Sequence, residues 1–402
     1  MAVTPPLSFE AFLQALLLVL VSAKLLGQAC QRLGQSSVLG ELLAGVLLSA
    51  LGWLPQDHVL ELLAELGLLI LLFEIGLETD ITQLMQVGRL SVTVAVVGVL
   101  FPFVGGLVLG LAAGWAWTTA LLIGAAFSAT SIGVTARILR DNHQQHSMEG
   151  RIVLGAAFLD DIFGLLILAL LSAMVTQPGG ADLGYLFTIA VTTLLFPAVA
   201  IGLGVRCAPV FVHWVDKLSV RGGLGIAGLS LAFALSYLAT VIKSASVIGA
   251  FAAGLVLAKT HRAEKFIAHL QPIADLLTPI FFVMVGAKLN LALLNPANPA
   301  NHPVWVWALL GTFVAFAGKF ASGYVGIPGR LRRHLIGVAM IPRGEVGLVV
   351  AELGRRSGVF DAMVFGVVLL VVMATTAAGP LLLKSVLSKP GGRSKPNLPE
   401  LD

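Results

Sequence analysis

Charge is what this chain has least of. Asp, Glu, Lys and Arg make up 11% of its 402 residues, where soluble domains carry about 25%. A soluble chain of this length would divide into two or three domains; this composition instead points to one polytopic membrane domain. Cysteine is scarcer still. Cys30 and Cys207 have no spacing that suits a metal or a redox pair, and both read as buried free thiols. The net charge is only +4, and its basic residues sit in short loops, so nothing points to nucleic acid. No glycine-rich dinucleotide fingerprint follows a strand pattern. The first apolar segment, from about Leu7, lacks the basic start and small-residue cleavage site of a signal peptide, and is kept as a span.

What is present is apolar surface, 57% of residues, together with 44 glycines, as expected where helices pack closely in lipid. A span needs about 20 mostly apolar residues. Thirteen segments are read on this basis: 8–29, 37–53, 58–78, 89–112, 116–139, 150–176, 183–206, 223–242, 246–258, 272–289, 304–327, 334–355 and 362–385. Turn-rich pieces such as "QPGGAD" and "NPANPANHP" separate some of them. Even-numbered loops hold four basic residues, Lys243, Lys288, Arg355 and Arg356, whereas odd-numbered loops and the tail hold eighteen. Cytoplasmic loops carry the excess of Lys and Arg, so the N-terminus is placed outside and the C-terminus in the cytoplasm.

Against this background "GAAFLDDIFGLLILAL", residues 155–170, sets Asp160 beside Asp161 inside span 6. Entering from the cytoplasmic side, Asp160 would lie roughly 14 Å deep. A charge there costs at least about 2.5 kcal/mol, and intramembrane carboxylates mark ion or proton paths. Two other spans contain helix breakers at similar depth. Span 5 holds "FSATSIGVTARIL", with Ser128, Thr130, Ser131 and Gly133; span 12 holds "MIPRGEVGLVVAELG", where Pro342 and Gly344 interrupt a helix and Arg343 and Glu345 put charge at the break. Lys319, in "AFAGKFASGYVG" of span 11, cannot easily reach an interface and calls for an anionic partner. Spans 5 and 12 are seven apart and therefore antiparallel. This implies an inverted repeat, spans 1–6 against 8–13 with span 7 linking them, and an ion site at the midplane where the broken helices meet.

The motifs "GAAFLDDIFGL", "ATSIGVTARIL", "PIFFVMVGAKL", "AGKF" and "IPRGEVGLVVA" together resemble the NapA-type bacterial sodium/proton antiporters. These belong to the second monovalent cation/proton antiporter family and are related to the Kef systems. The resemblance runs from about residue 11 to 385. It implies an all-α membrane protein of about 13 helices with two crossing broken helices, the NhaA/NapA-like fold. It also implies a homodimer and elevator-like movement of a core against a dimer-and-gate panel. The panel would be residues 1–85 and 222–300, the core 86–178 and 301–387, with a linker helix over 179–221 and a disordered cytoplasmic tail over 388–402. Asp161 matches the family's cation- and proton-binding aspartate, and Asp160, its neighbour, would join it on Na⁺. Lys319 matches the lysine that pairs with that neighbour. Thr130 and Ser131 match the unwound segment, and Arg343 and Glu345 the second crossover. Glu41, Glu65 and Glu78 match acidic positions, Glu78 being a candidate for a secondary ion path. Lys288 reads as an interfacial anchor. Glu74 and Asp275 do not match, and His143 and His146 read as solvated loop residues.

The reading is therefore an antiporter of Na⁺ or Li⁺ against H⁺, with no cofactor and no enzymatic activity. It would be electrogenic, at about two H⁺ per cation, in a bacterial inner membrane. K⁺/H⁺ exchange or a Kef-like K⁺ efflux system is the alternative, although only about 17 residues follow Ser385. An intramembrane aspartyl protease needs two facing carboxylates. Adjacent residues on one helix point about 100° apart and do not supply them.

Overall fold

Ser8 and Ser36 open the first two helices in the way their side chains allow, each accepting a hydrogen bond from a first-turn amide, Ala11 N at 3.3 Å and Val38 N at 3.2 Å. The computed structural model describes residues 8–55, 57–78, 88–131, 135–136, 138–139, 142–144, 147–175, 183–217, 222–241, 246–343 and 345–388. Among them there are helices and no strands. The helices are α1 Phe9–Arg32, α2 Ser37–Ala50, α3 His58–Glu78, α4 Arg89–Ala112, α5 Trp117–Ser128, α6 Met148–Val175, α7 Leu183–Asp216, α8 Gly223–Val241, α9 Ser246–Ala258, α10 Ala263–Ala287, α11 His302–Ala321, α12 Arg333–Ala339, α13 Glu345–Arg356 and α14 Ala362–Ser388. Among the described residues seven helical segments are long and apolar enough to cross a membrane by length and composition, α1, α4 and α14 among them.

Each of the thirteen apolar segments carries helix, but three ends differ from the sequence reading. α7 runs to Asp216 and α10 starts at Ala263. The added first turns of α10 are amphipathic: Phe266, Leu270 and Ala274 are buried while Glu264, Lys265 and His269 are not. A window seeking a continuous apolar run passes over such a face. α11 stops at Ala321, not at residue 327. "SGYVGIPG" turns instead, with Gly326 at φ 69°. Cys30 is buried as expected, but Cys207 is exposed on α7.

Packing divides the helices into two groups. α1, α2, α3, α8, α9 and α10 pack on one another; α4, α5, α6, α11, α12, α13 and α14 do the same, and α7 touches α9 as well as α6. In the first group two helix pairs approach through reciprocal glycines. A Cβ on Gly45 of α2 would meet the Val283 carbonyl of α10, and one on Gly286 of α10 would meet that of Leu42 on α2. In the same way Gly254 of α9 faces Phe73 O of α3, and Gly76 of α3 faces Phe251 O of α9. Gly40 on Leu26 O and Gly249 on Leu235 O extend the match to α1–α2 and α8–α9. The sequence carries the same repeat, "SVLGELLAGVLLSA" at 37–50 against "SVIGAFAAGLVLAK" at 246–259.

Candidate functional site

α6 is 28 residues long, so Asp160 and Asp161 stand near its middle, roughly 20 Å from either end. Asp160 is fully buried, as is Lys319. The Lys319 ammonium donates to both carboxylate oxygens of Asp160, at 2.8 and 2.9 Å. Lys319 stands in the last turn of α11, where the partial negative charge of a helix C-terminus favours a cation. The Ser322 hydroxyl closes that turn by donating to Lys319 O at 2.6 Å. Asp161 is half-buried and lies close enough to Lys319 to act on it electrostatically.

The two sequence breaks are real and they cross. α5 ends at Ser128, whose hydroxyl bonds back to Ala125 O at 2.8 Å, a local bond that competes with helix. Ala129, Thr130 and Ser131 follow in non-helical conformation. α12 ends at Ala339 and α13 begins at Glu345. Between them Pro342 supplies no N–H and disfavours helix at Ile341. Groups left unpaired by one break are taken up by the other. Ser131 N donates to Pro342 O at 2.9 Å, the Thr130 hydroxyl to Met340 O at 3.4 Å and the Thr135 hydroxyl to Ala339 O at 2.9 Å. Arg343 is buried, and its guanidinium donates to Ala129 O at 2.7 Å and Ala315 O at 2.9 Å. It thus puts a fixed positive charge on the carbonyl end of α5. The crossing lies against α6, where Gly164, about one turn past Asp160, packs on Val346.

The structure therefore brings together Asp160, Asp161, Lys319, Thr130, Ser131 and Arg343. Glu345 opens α13, but its side chain lies outside the described residues, as do Gly133, Gly344, His146 and the tail from 389 onward. The other acidic candidates stand in the first helix group. Glu78 is exposed at the end of α3. Glu41, Glu74 and Asp275 line a cavity of about 540 Å³ between α1, α2, α3 and α10, with Lys24 on its wall. His143 is exposed, at φ 53°. Lys288, expected at a membrane interface, is ion-paired. It caps α10 with a side chain only 17% exposed and pairs with Glu61 at 3.0 Å and Glu352 at 3.5 Å. Its charge is held by two carboxylates.

Sequence reasoning missed α4 as a wall of the site. A Cβ on Gly98 would lie 3.7 Å from the Lys319 ammonium. Pro102, inside α4, lacks the N–H that would bond the Gly98 carbonyl. The signal was a glycine four residues before a proline in an apolar span. It also missed Thr135 and Thr376, whose hydroxyls hold Ala339 O and Arg343 O; a threonine or a threonine pair in an apolar helix carries no pattern that points to its partner.

The profile of the family described as "Sodium/hydrogen exchanger, transmembrane" matches residues 16–389. Among curated proteins, the high-affinity Na⁺/H⁺ antiporter NhaS3 of Synechocystis is 36% identical, over 98% of this chain and 93% of its own. The Na⁺/H⁺-K⁺ antiporter GerN of Bacillus cereus is 33% identical, over 94% and 96%. Among solved structures, the sodium proton antiporter MjNhaP1 of Methanocaldococcus jannaschii superposes with a TM-score of 0.69 at 17% identity, over 93% of this chain and 97% of that one. The fold is thus shared with a solved antiporter, and the sequence match is nearly full length. The chain is a member of the sodium/hydrogen exchanger family, an integral membrane protein.

Proposed function

We propose that the chain exchanges Na⁺ or Li⁺ for H⁺ across the membrane, with Asp161 and Asp160 as the carboxylates that take up the cation. The observation that carries this reading is a carboxylate pair at the middle of α6, beside the crossing of two broken helices and bonded to a buried lysine. Hydroxyls and carboxylates are oxygen ligands that suit a hard monovalent cation, and the same carboxylate can bind a proton instead. Thr130 and Ser131 sit in one break and Arg343 in the other, beside Glu345. The names borne by NhaS3 and MjNhaP1 agree with this exchange. K⁺ in place of Na⁺ is a second reading, which the name of GerN favours.

In this reading all thirteen segments cross the membrane, with the N-terminus outside and the C-terminus in the cytoplasm. The protein works as a homodimer, with α1–α3 and α8–α10 as a static panel and α4–α6 and α11–α14 as the moving core. The division of packing between those groups and the matched glycine pairs support it. The decisive measurement is reconstitution in liposomes with an internal pH dye, adding Na⁺, Li⁺ and K⁺ in turn. Proton efflux with Na⁺ and Li⁺ is expected. Efflux with K⁺ alone selects the second reading, and no efflux with any cation refutes exchange.

A further inference from the structure

Where α10 and α13 finish, six charged side chains join the two helix groups. Glu352 of α13 is 2% exposed. It accepts from Arg355 Nε at 2.9 Å and Nη2 at 2.8 Å, and from Arg356 Nε at 2.7 Å, with Lys288 Nζ at 3.5 Å. Lys288 also donates to Glu61 of α3, and Arg356 to Glu65 one turn further along α3. Three carboxylates and three cations alternate and sum to zero. Two links cross between the groups, Lys288–Glu352 and Glu65–Arg356. These six include three of the four basic residues on the even-numbered, outward-assigned loops. Each of those three therefore has an acidic partner at the same end.

Away from this cluster the groups share an apolar seam, with Leu42, Phe281 and Phe282 in one cluster with Val364, Phe365 and Val368, and a single-ended polar contact in which Lys384 of α14 donates to the Gly34 carbonyl at 3.3 Å. Apolar contact is non-directional and tolerates sliding. Ion pairs do not: a shift of one helical turn, about 5.4 Å, breaks both crossing links. A cavity of about 470 Å³ beside the cluster, walled by Ser49, Leu54, Glu61, Lys288, Arg355 and Asp361, gives the side chains room to part.

We propose that Glu352, Arg355, Arg356, Glu61, Glu65 and Lys288 form a latch that closes the outer end of the seam between the helix groups and opens in each transport cycle. Its role in a cycle rests on the antiport reading; its role as a latch does not. The test uses the full chain in lipid nanodiscs, with Cys30→Ala and Cys207→Ser, and spin labels at Val59→Cys and Ser357→Cys. Pulsed dipolar spectroscopy then reads the α3–α13 distance. Glu65→Gln or Arg356→Gln is expected to raise the population at longer distance about two- to fivefold, the size set by a partly exposed pair. The exchange Glu65→Arg with Arg356→Glu is expected to restore the parent distribution. Glu352→Gln is expected to raise the longer population more than about tenfold, because it leaves three cations around a neutral side chain. A distance distribution unchanged by both Glu65→Gln and Arg356→Gln overturns the latch, whether or not the Glu352 variant folds. Ion exchange is measured on the same parent protein. Its absence refutes the antiport reading and leaves the distance result to stand alone.

Discussion

Asp160 and Lys319 hold each other where neither has any exposed surface, so each is the other's solvation. Removing one partner of such a buried pair costs about 3–5 kcal/mol, while removing both costs much less. Asp160→Asn and Lys319→Met are each expected to lower thermal stability in detergent, and the double variant to lose less than the sum of the two. Strict additivity would mean that the pair is not coupled. Asp161 is half-buried, and in the proposed exchange it is the carboxylate that takes up the cation or the proton. Asp161→Asn is expected to abolish cation-driven proton flux while leaving the fold intact, because an amide binds neither a proton nor Na⁺ comparably. Full flux in that variant removes Asp161 from the site. On the proposed reading protons and Na⁺ compete for this carboxylate, so the apparent Na⁺ affinity should weaken as pH falls. An apparent affinity that does not fall at any pH down to about 4, where an ordinary aspartate takes up its proton, contradicts simple competition. These residues were legible because charge inside an apolar run is costly and therefore conspicuous. Glu352 has the same property, but at the end of its span, beside two arginines in "ELGRR", it reads as a solvated helix end. Its burial comes from α3 and α10, which no local pattern reveals.

Among elements, the breaks in spans 5 and 12 were visible as Ser, Thr, Gly and Pro in apolar helices. The end of α11 was not, because hydropathy windows treat "SGYVGIPG" as apolar letters although its glycines and proline specify a turn. Hydropathy alone also passes over the repeat of "SVLGELLAGVLLSA" in "SVIGAFAAGLVLAK", because apolar letters recur in every span and what marks these two is the shared glycine spacing. That spacing sets how close α2 comes to α10, and α9 to α3. A Cβ on Gly254 would sit 2.3 Å from Phe73 O, and one on Gly45 1.9 Å from Val283 O, so either substitution must push two helices apart. Gly254→Val and Gly45→Val are each expected to cost about 1–3 kcal/mol or more, read as a lowered melting temperature. Gly202→Val on α7 is the control, since nothing lies within 4 Å of its Cβ. Equal melting of all three variants would show that the paired approaches do not hold the panel together.

For the whole molecule, the question is how much charge moves per cycle. The structure has Asp160⁻ paired with Lys319⁺; with Asp161 protonated, these three groups sum to zero. Arg343 adds a fixed positive charge on the carbonyl end of α5 and cancels in any difference between states. If Na⁺ then recruits both carboxylates, Lys319 loses its partner in a buried, fully enclosed position. An ammonium left unpaired there is disfavoured and releases its proton. The Na⁺-loaded site then carries +1 from sodium, −2 from the aspartates and 0 from lysine, a sum of −1. On this proposal two protons would exchange for one Na⁺, one net charge would cross per cycle, and membrane voltage would drive it at about 2.3 kcal/mol per charge per 100 mV. If Lys319 stays protonated, both states sum to zero and exchange is one-for-one and silent. Lys319→Gln removes the second proton carrier and keeps the cation carboxylates. It is therefore expected to retain some exchange by the dye assay and to lose its voltage dependence. Na⁺-induced current is measured from proteoliposomes on a supported membrane, wild type beside variant. Silence from an active wild type, or an unchanged current from Lys319→Gln, would show that the charge is carried by a group other than this lysine.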